Sequence, residues 1–293
     1  MIKGTTKLLG VIGHPIAHSL SPVMHNAAIS HLGVDFVYLP FPVKPEDLKA
    51  ALAGFAAIDL RGFSITIPHK QAILPLLAEV SPIARAIGAV NTVYRTDKGW
   101  CGTNTDVEGF LAPLQTEGFP TFRSDKTPLG RASDWSQKVA VILGNGGAAR
   151  AVVAGCAQLG FAEIHVVGRS APNLAEFQQS WVNSPMPMQN LQVHTWDNLS
   201  MLISQADLLV NTTPVGMHPH GEKSPVAAAA LDRISAGAIV YDLIYTPNPT
   251  QLLKDAQLRG AIPIDGLEML VQQGAAACLL LEPDTAVPFP GGG

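Results

Sequence analysis

Charge, cysteine and long apolar runs are all scarce in this chain, and each scarcity removes a class of protein. Only 14% of its 293 residues are charged, against roughly 25% in an average soluble protein. The net charge of −4 offers no basic field for nucleic acid or an anionic membrane surface. The three cysteines, Cys101, Cys156 and Cys278, are widely spaced and form no CxxC pair, which excludes a disulfide framework and a cysteine zinc site. The nine histidines show no HExxH or clustered ligand spacing, so no metal is assigned. His14, His18, His25 and His31 read as loop or helix-surface residues. The apolar stretch at residues 8–13 is broken by His14-Pro15 too early for a signal segment. Residues 274–281 are the longest apolar run near the C-terminus, far short of the about 20 residues that span a bilayer. The expectation is a cytoplasmic protein with a small-molecule partner, no nucleic acid and no membrane; the sequence does not report oligomeric state, and a homodimer is one open assembly.

What is present is apolar patterning. Hydrophobic residues make up 47% of the chain, and its length suits two moderate domains, each with its own core. Short apolar runs at 8–12, 36–40, 62–67, 139–143, 164–167, 207–211 and 238–242 alternate with helical patterns, which predicts βαβ units and largely parallel sheets. Residues 116–136 break this rhythm and read as an exposed loop of the second domain. The Pro- and Gly-rich tail at 282–293 is expected to fray.

Residues 138–143 form an apolar strand pattern, Gly144-Asn145-Gly146-Gly147-Ala148-Ala149 matches GxGxxA, and an Ala-rich helix runs from there to Gly160. Strand, glycine turn and helix in this order predict a Rossmann-type dinucleotide site. The first glycine permits the tight turn, the second lets backbone approach a pyrophosphate, and the small last residue lets helix and sheet pack. Helix amides then face the anion. The next strand ends in Gly168-Arg169-Ser170 where an NAD site would place a carboxylate. A guanidinium and a hydroxyl suit the 2′-phosphate of NADP instead. Two further strand ends, Asn211-Thr212-Thr213-Pro214 and Asp242-Leu243-Ile244-Tyr245, are candidate contacts to nicotinamide and substrate, because ligands sit at the carboxyl edges of such sheets.

The N-terminal half carries a different set. Ser21 reads as the N-cap of a helix with Pro22 at its first position and Gly33 past its end, and Ser19 lies beside the same positive helix end. Together the two hydroxyls suit a substrate carboxylate. In Phe63-Ser64-Ile65-Thr66-Ile67 the two hydroxyls emerge on one strand face. Lys70 follows in the first turn of a helix, where the dipole disfavours a cation and another reason for its presence is needed. His69 beside it is the one histidine worth watching. Residues 90–94 and 100–105 flank Asp97-Lys98-Gly99 as a β-hairpin. Pairing Arg95 with Trp100 sets Asn91 opposite Asn104, with Asp106 diagonal to it. In the last helix Met269 and Gln273 share a face.

The runs Gly13-His14-Pro15-Ile16-Ala17-His18-Ser19-Leu20-Ser21-Pro22, Thr66-Ile67-Pro68-His69-Lys70, Gly88-Ala89-Val90-Asn91-Thr92 and Asn104-Thr105-Asp106 resemble the shikimate dehydrogenase family. The likeness continues through the glycine turn, Asn211-Thr212-Thr213-Pro214-Val215-Gly216-Met217, Tyr241-Asp242-Leu243-Ile244-Tyr245 and Asp265-Gly266-Leu267-Glu268-Met269-Leu270. It implies an α/β protein with an N-terminal α/β substrate-binding catalytic domain at 1–105 and a doubly wound Rossmann NADP-binding domain at 106–266. The C-terminal helix, 267–293, would pack back on the first. The implied activity is an oxidoreductase step of the shikimate pathway, in aromatic amino-acid biosynthesis: reversible reduction of 3-dehydroshikimate to shikimate with NADPH. Ser19, Ser21 and Tyr245 would bind the carboxylate end, and Thr66, Lys70, Asn91, Asp106 and Gln273 the ring hydroxyls. Lys70 would be the acid/base group and Asp106 its catalytic partner. Gly144, Asn145, Gly146, Gly147, Ala148, Arg169, Ser170, Thr212, Thr213, Leu243, Gly266 and Met269 would hold NADP.

The chain departs from the family pattern in three places. Ser64 stands where the family has Asn. Asn173 stands where a second phosphate-clamping arginine is usual, which weakens the expected NADP preference. The 116–136 segment resembles an insertion. A quinate/shikimate dehydrogenase using NAD or NADP is the enzyme alternative, and a non-catalytic Rossmann-type metabolite sensor is the alternative of another class.

Overall fold

The computed structural model describes residues 2–115, 134–182, 184–186 and 188–281. By internal contacts the chain divides into two compact units, residues 1–105 with 271–293 and residues 106–270. The first contains β1 (Lys7–Gly13), α1 (Ser21–Leu32), β2 (Phe36–Pro42), α2 (Leu48–Ala57), β3 (Leu60–Ile65), α3 (His69–Ala72), β4 (Glu79–Val80), α4 (Pro82–Ile87), β5 (Thr92–Thr96) and β6 (Gly99–Thr103). Its strands form one sheet in the order β2-β1-β3-β5-β6-β4. The β2, β1 and β3 strands are parallel, while β5 runs antiparallel to both β3 and β6. Alternation along β1 feeds two apolar layers. Ile12 joins Phe63, Ile65, Leu52 and Phe55 under α2, while Leu9 and Val11 join Tyr38, Ile29 and Ala277 on the opposite face.

The second unit contains α5 (Asp106–Gln115), β7 (Val139–Leu143), α6 (Gly147–Leu159), β8 (Glu163–Gly168), α7 (Ala171–Val182), β9 (Leu191–Thr195), α8 (Leu199–Ile203), β10 (Leu208–Asn211), α9 (Ala228–Leu231), β11 (Ile239–Asp242), α10 (Gln251–Gln257) and β12 (Ile262–Ile264). The last helix, α11 (Gly266–Leu281), begins in this unit and continues into the first. All six strands pair in parallel in the order β12-β11-β10-β7-β8-β9. Counted from β7, this is the doubly wound order 3-2-1-4-5-6, with its switch point between β7 and β10. A core of Val141, Leu143, Leu209, Val240 and Leu252 fills one face. On the other, Phe110 of α5 stacks on Tyr241 at 5.4 Å. A Cβ at Gly155 of α6 would lie 2.5 Å from the Phe110 ring, so glycine is what lets these helices meet.

Several sequence expectations change. The short strands β4, β9 and β12 are additional to the apolar runs. Ser21 is the first residue of α1 and Leu20 its N-cap, with no side-chain cap bond. The hairpin pairs Arg95 with Trp100 as read, but Gly99 pairs with Thr96, so the turn is Asp97-Lys98 alone. His14, His18 and His31 are exposed, whereas His25 is buried and stacks on Tyr38 at 4.1 Å. Trp135 is also buried, against Phe161 at 4.7 Å, unlike the exposed loop expected there. Residues 116–133 of that segment, and the tail at 282–293, lie outside the described residues. Among the described residues no helix is long and apolar enough to cross a membrane.

Candidate active site

In the first unit the expected substrate residues gather at one edge of the mixed sheet. Parallel β1 and β3 end there, and antiparallel β5 begins there, with Ser64 paired to Thr92. The ends of β1 and β3 lie close together: the Thr66 amide donates to the Ile12 carbonyl at 3.0 Å and the His14 amide to Ile67 at 3.0 Å. A Cβ at Gly13 would collide with the Thr66 methyl group. Ser19, in the loop after β1, accepts from the Ser21 amide at 3.3 Å. The hydroxyl taking a helix amide is therefore Ser19, the reverse of the capping expected from the sequence.

Lys70 is half-buried on α3, and its carbonyl accepts from the Val90 amide at 2.8 Å, tying that helix to the entry of β5. Asn91 follows, buried, with Nδ2 donating to Thr105 Oγ1 at 2.9 Å and to Gln273 Oε1 at 3.3 Å. Its Oδ1 accepts from the Thr105 amide at 2.9 Å and the Thr92 hydroxyl at 3.0 Å. The Thr105 hydroxyl donates to the Gln273 carbonyl at 2.9 Å. Thr105 thus binds both Asn91 and Gln273, a tie no local pattern announces. His69 is structural: it is fully buried with Nε2 2.7 Å from the Val43 carbonyl. So is His25, whose Nδ1 lies 3.0 Å from Cys278 Sγ. Burial pushes the His25 imidazole down to about 4.

In the second unit the expected cofactor residues lie along the carboxyl edge of the parallel sheet. Gly144 leaves β7 at φ +102°, a left-handed conformation that favours glycine. A Cβ there would sit 2.7 Å from Thr212 Oγ1. The Gly144 amide donates to Val167 O at 2.8 Å, and the Thr212 amide and hydroxyl both donate to Leu143 O, at 3.0 and 2.7 Å. The structure therefore brings the glycine turn and the Thr212-Thr213 turn together at the switch point.

Gly146 is exposed, and a Cβ there would meet nothing within 4 Å. That open space lies over the first turn of α6, whose leading amides a helix leaves without internal partners. Space for a close approach, together with donors for an anion, fits a dinucleotide pyrophosphate. Arg169 and Ser170 follow β8: Arg169 is exposed, and the Ser170 hydroxyl is 3.5 Å from the Asn173 amide at the start of α7. Arg150, next to the turn, is buried against Phe177 and Trp181 with a bond to Ser180 at 2.7 Å, a packing role.

Leu243 and Tyr245 are half-buried beyond β11, and Gly266 packs directly on the Leu243 backbone, where a Cβ would overlap the Leu243 carbonyl. Met269 is buried one turn later, and Asp106 is buried at the start of α5. Two of the expected ligand contacts turn inward instead. Asn211 and Asp242 have no exposed surface and bond to each other at 2.9 Å. Burial pushes the Asp242 carboxyl up to about 6 against the opposing pull of its Thr250, Ile244 and Asn211 donors. Among the described residues no group of three or more His, Cys, Asp or Glu side chains is arranged to hold a metal ion.

A family model described as the shikimate dehydrogenase substrate binding domain matches residues 11–93. A shikimate dehydrogenase (NADP(+)) of Trichormus variabilis is 65% identical over 277 residues, covering 94% of this chain and 91% of the relative. The solved shikimate dehydrogenase of Thermus thermophilus, in complex with NADP(H) and shikimate, is 32% identical with a TM-score of 0.77, covering 95% of this chain and 94% of that one. A quinate dehydrogenase from Corynebacterium glutamicum in complex with NAD is 30% identical with a TM-score of 0.80, at 95% and 94% coverage. By these likenesses, which span nearly the whole chain, the chain belongs to the shikimate dehydrogenase family.

Proposed function

We propose that this protein catalyses the reversible NADPH-dependent reduction of 3-dehydroshikimate to shikimate, an oxidoreductase step at a CH–OH group in aromatic amino-acid biosynthesis. The observation that carries this reading is that the likeness to curated shikimate dehydrogenases spans both units. A parallel dinucleotide-binding sheet alone would leave the substrate open. Residues 1–105 supply the substrate side and residues 106–266 the cofactor side, with Gln273 on the returning helix. Ser19, Ser21 and Tyr245 hold the carboxylate, and Thr66, Asn91 and Gln273 hold the ring hydroxyls. NADPH supplies the hydride when bound, held by Gly144 to Ala148, Arg169, Ser170, Thr212, Thr213, Leu243, Gly266 and Met269.

The proton comes from the protein's own side chains. Reducing a ketone leaves an alkoxide, and the Lys70 ammonium protonates it; in the oxidative direction neutral Lys70 takes the proton back. Asp106 orients the lysine and the hydroxyl it serves. The Asn91, Thr105 and Gln273 bonds fix the amides that read neighbouring hydroxyls, so orientation is set before substrate arrives. A cytoplasmic location accords with three free cysteines. A homodimer belongs to the same reading and is measured by light scattering.

A quinate/shikimate dehydrogenase using NAD is the second reading, favoured by Asn173 in place of a phosphate-binding arginine. Initial rates with shikimate and quinate, each with NADP+ and NAD+, separate the two. Preference for shikimate with NADP+ is expected; preference for quinate with NAD+ overturns the first reading.

A further inference from the structure

Asn211 and Asp242 have no part in the proposed reaction, although both are fully buried at the edge where cofactor residues gather. Asn211 ends β10, Asp242 ends β11, and their Cα atoms pair in register. Asp242 Oδ1 accepts from Asn211 Nδ2 at 2.9 Å and from the Ile244 amide at 3.1 Å. Asp242 Oδ2 accepts from the Thr250 hydroxyl at 2.7 Å. Asn211 Oδ1 in turn accepts from the amide and hydroxyl of Thr213, at 3.0 and 2.8 Å, while its Nδ2 also reaches the Val215 carbonyl at 3.4 Å.

Each side chain therefore grips the loop leaving its own strand, and the bond between them ties the two loops together. One loop carries Thr212 and Thr213, the other Leu243 and Tyr245. The last backbone bond between the two strands runs from the Leu243 amide to the Asn211 carbonyl at 3.0 Å, so past Leu243 side chains must supply the register. A buried carboxylate that fills its acceptor sites with fixed donors is stiff, because moving any donor strands a buried polar group.

We propose that Asn211 and Asp242 are positioning residues for the dinucleotide, holding the Thr212-Thr213 and Leu243 to Tyr245 segments at the spacing its nicotinamide half requires. This rests on the proposed cofactor site. The Thr250 arm serves the helix instead, because its hydroxyl also accepts from the Leu253 amide at 3.4 Å, capping α10. Losing it should cost stability without moving the cofactor loops.

The test is calorimetric titration of NADP+ into folded protein, well below the melting temperature of each variant, beside a thermal melt. Asp242→Ala and Asn211→Ala are each expected to raise the Kd for NADP+ about tenfold or more, the effect of losing a charge-assisted or doubly used buried bond. Asp242→Asn should stay within about threefold, because its Oδ1 keeps the Asn211 and Ile244 bonds and the Thr250 hydroxyl can rotate to accept from the new amide. Thr250→Val should lower the melting temperature yet leave the Kd within about twofold. If Asp242→Ala does not fold, Asn211→Ala decides. Folded Asp242→Ala or Asn211→Ala protein that binds NADP+ like the wild type, or Thr250→Val protein weakened as much as either, overturns the proposal. Wild-type protein that binds no NADP+ overturns the cofactor reading itself.

Discussion

The edges of the two sheets, where the proposed substrate and cofactor residues gather, are built of different materials. At the edge of the mixed sheet the proposed readers are side chains: Ser19, Thr66 and Asn91 stand in loops at strand ends and Lys70 on α3, with Asn91 held by Thr105 and joined to Gln273. At the edge of the parallel sheet, much of the surface is backbone and empty space, set by Gly144 at φ +102°, by Gly146 with nothing above it and by Gly266 pressed on Leu243. A site of functional groups fails when a group is removed. A site of glycines fails when an atom is added.

Removal should act most strongly at Lys70. Lys70→Ala is expected to lower kcat by roughly 10²- to 10⁴-fold with little change in KM for shikimate. Steady-state kinetics with near-normal kcat would take Lys70 out of the mechanism and leave the mixed-sheet side a binding surface only.

Acid should distinguish the units next. His25, in the first, has its folded value depressed from 6.5 to about 4 by burial. The stability this represents is present above 6.5 and lost as pH falls through 4, in all roughly 3 kcal/mol. Asp242, in the second, is raised from 3.8 to about 6, so its contribution is present below 3.8 and lost as pH rises through 6. Hydrogen exchange at pH 7 and pH 4.5 should therefore show protection falling first in β1, β2 and α1; earlier loss in β10 and β11 would reverse the assignment.

Addition should act at Gly266. Gly266→Ala drives a Cβ into the Leu243 backbone and is expected to cost about 1–3 kcal/mol, read in a urea melt, and to weaken NADP+ binding with it. Unchanged stability would mean that the close approach is not tight in solution. The smallest effect is expected at Arg169, exposed after β8. Arg169→Ala should raise KM for NADP+ about tenfold while sparing NAD+, the size of one charge-assisted contact. Equal changes for both dinucleotides would remove the arginine from 2′-phosphate recognition.

Central strands are legible in the sequence because burial on both faces writes itself as unbroken apolar runs, as in Val139–Leu143. Edge strands are not: Leu191–Thr195 reads LQVHT, half polar, and Ile262–Ile264 is three residues with a central proline. The glycine turn is legible because φ and close approach demand a residue type. His25 reads as surface and is core, although Ser21, His25 and Ile29 form an i, i+4 buried line along α1 that marks its face. The Asn211–Asp242 bond cannot be read from either strand alone, since it depends on the register of two parallel strands joined through a long crossover.

One detail of the first unit bears on behaviour at high concentration. The strand β2 is an edge, the position from which sheets recruit a neighbour's strand. At Tyr38 the Asn26 side chain takes both outward groups: Nδ2 donates to the carbonyl at 2.8 Å, and Oδ1 accepts from the amide at 3.0 Å. The next outward positions, two and four residues on, are Pro40 and Pro42, which have no N–H to offer. An amide posing as a strand, followed by two residues without an N–H, leaves this edge few donors with which to template another chain. Of the edges of the two sheets, this one is built to refuse a neighbour's strand.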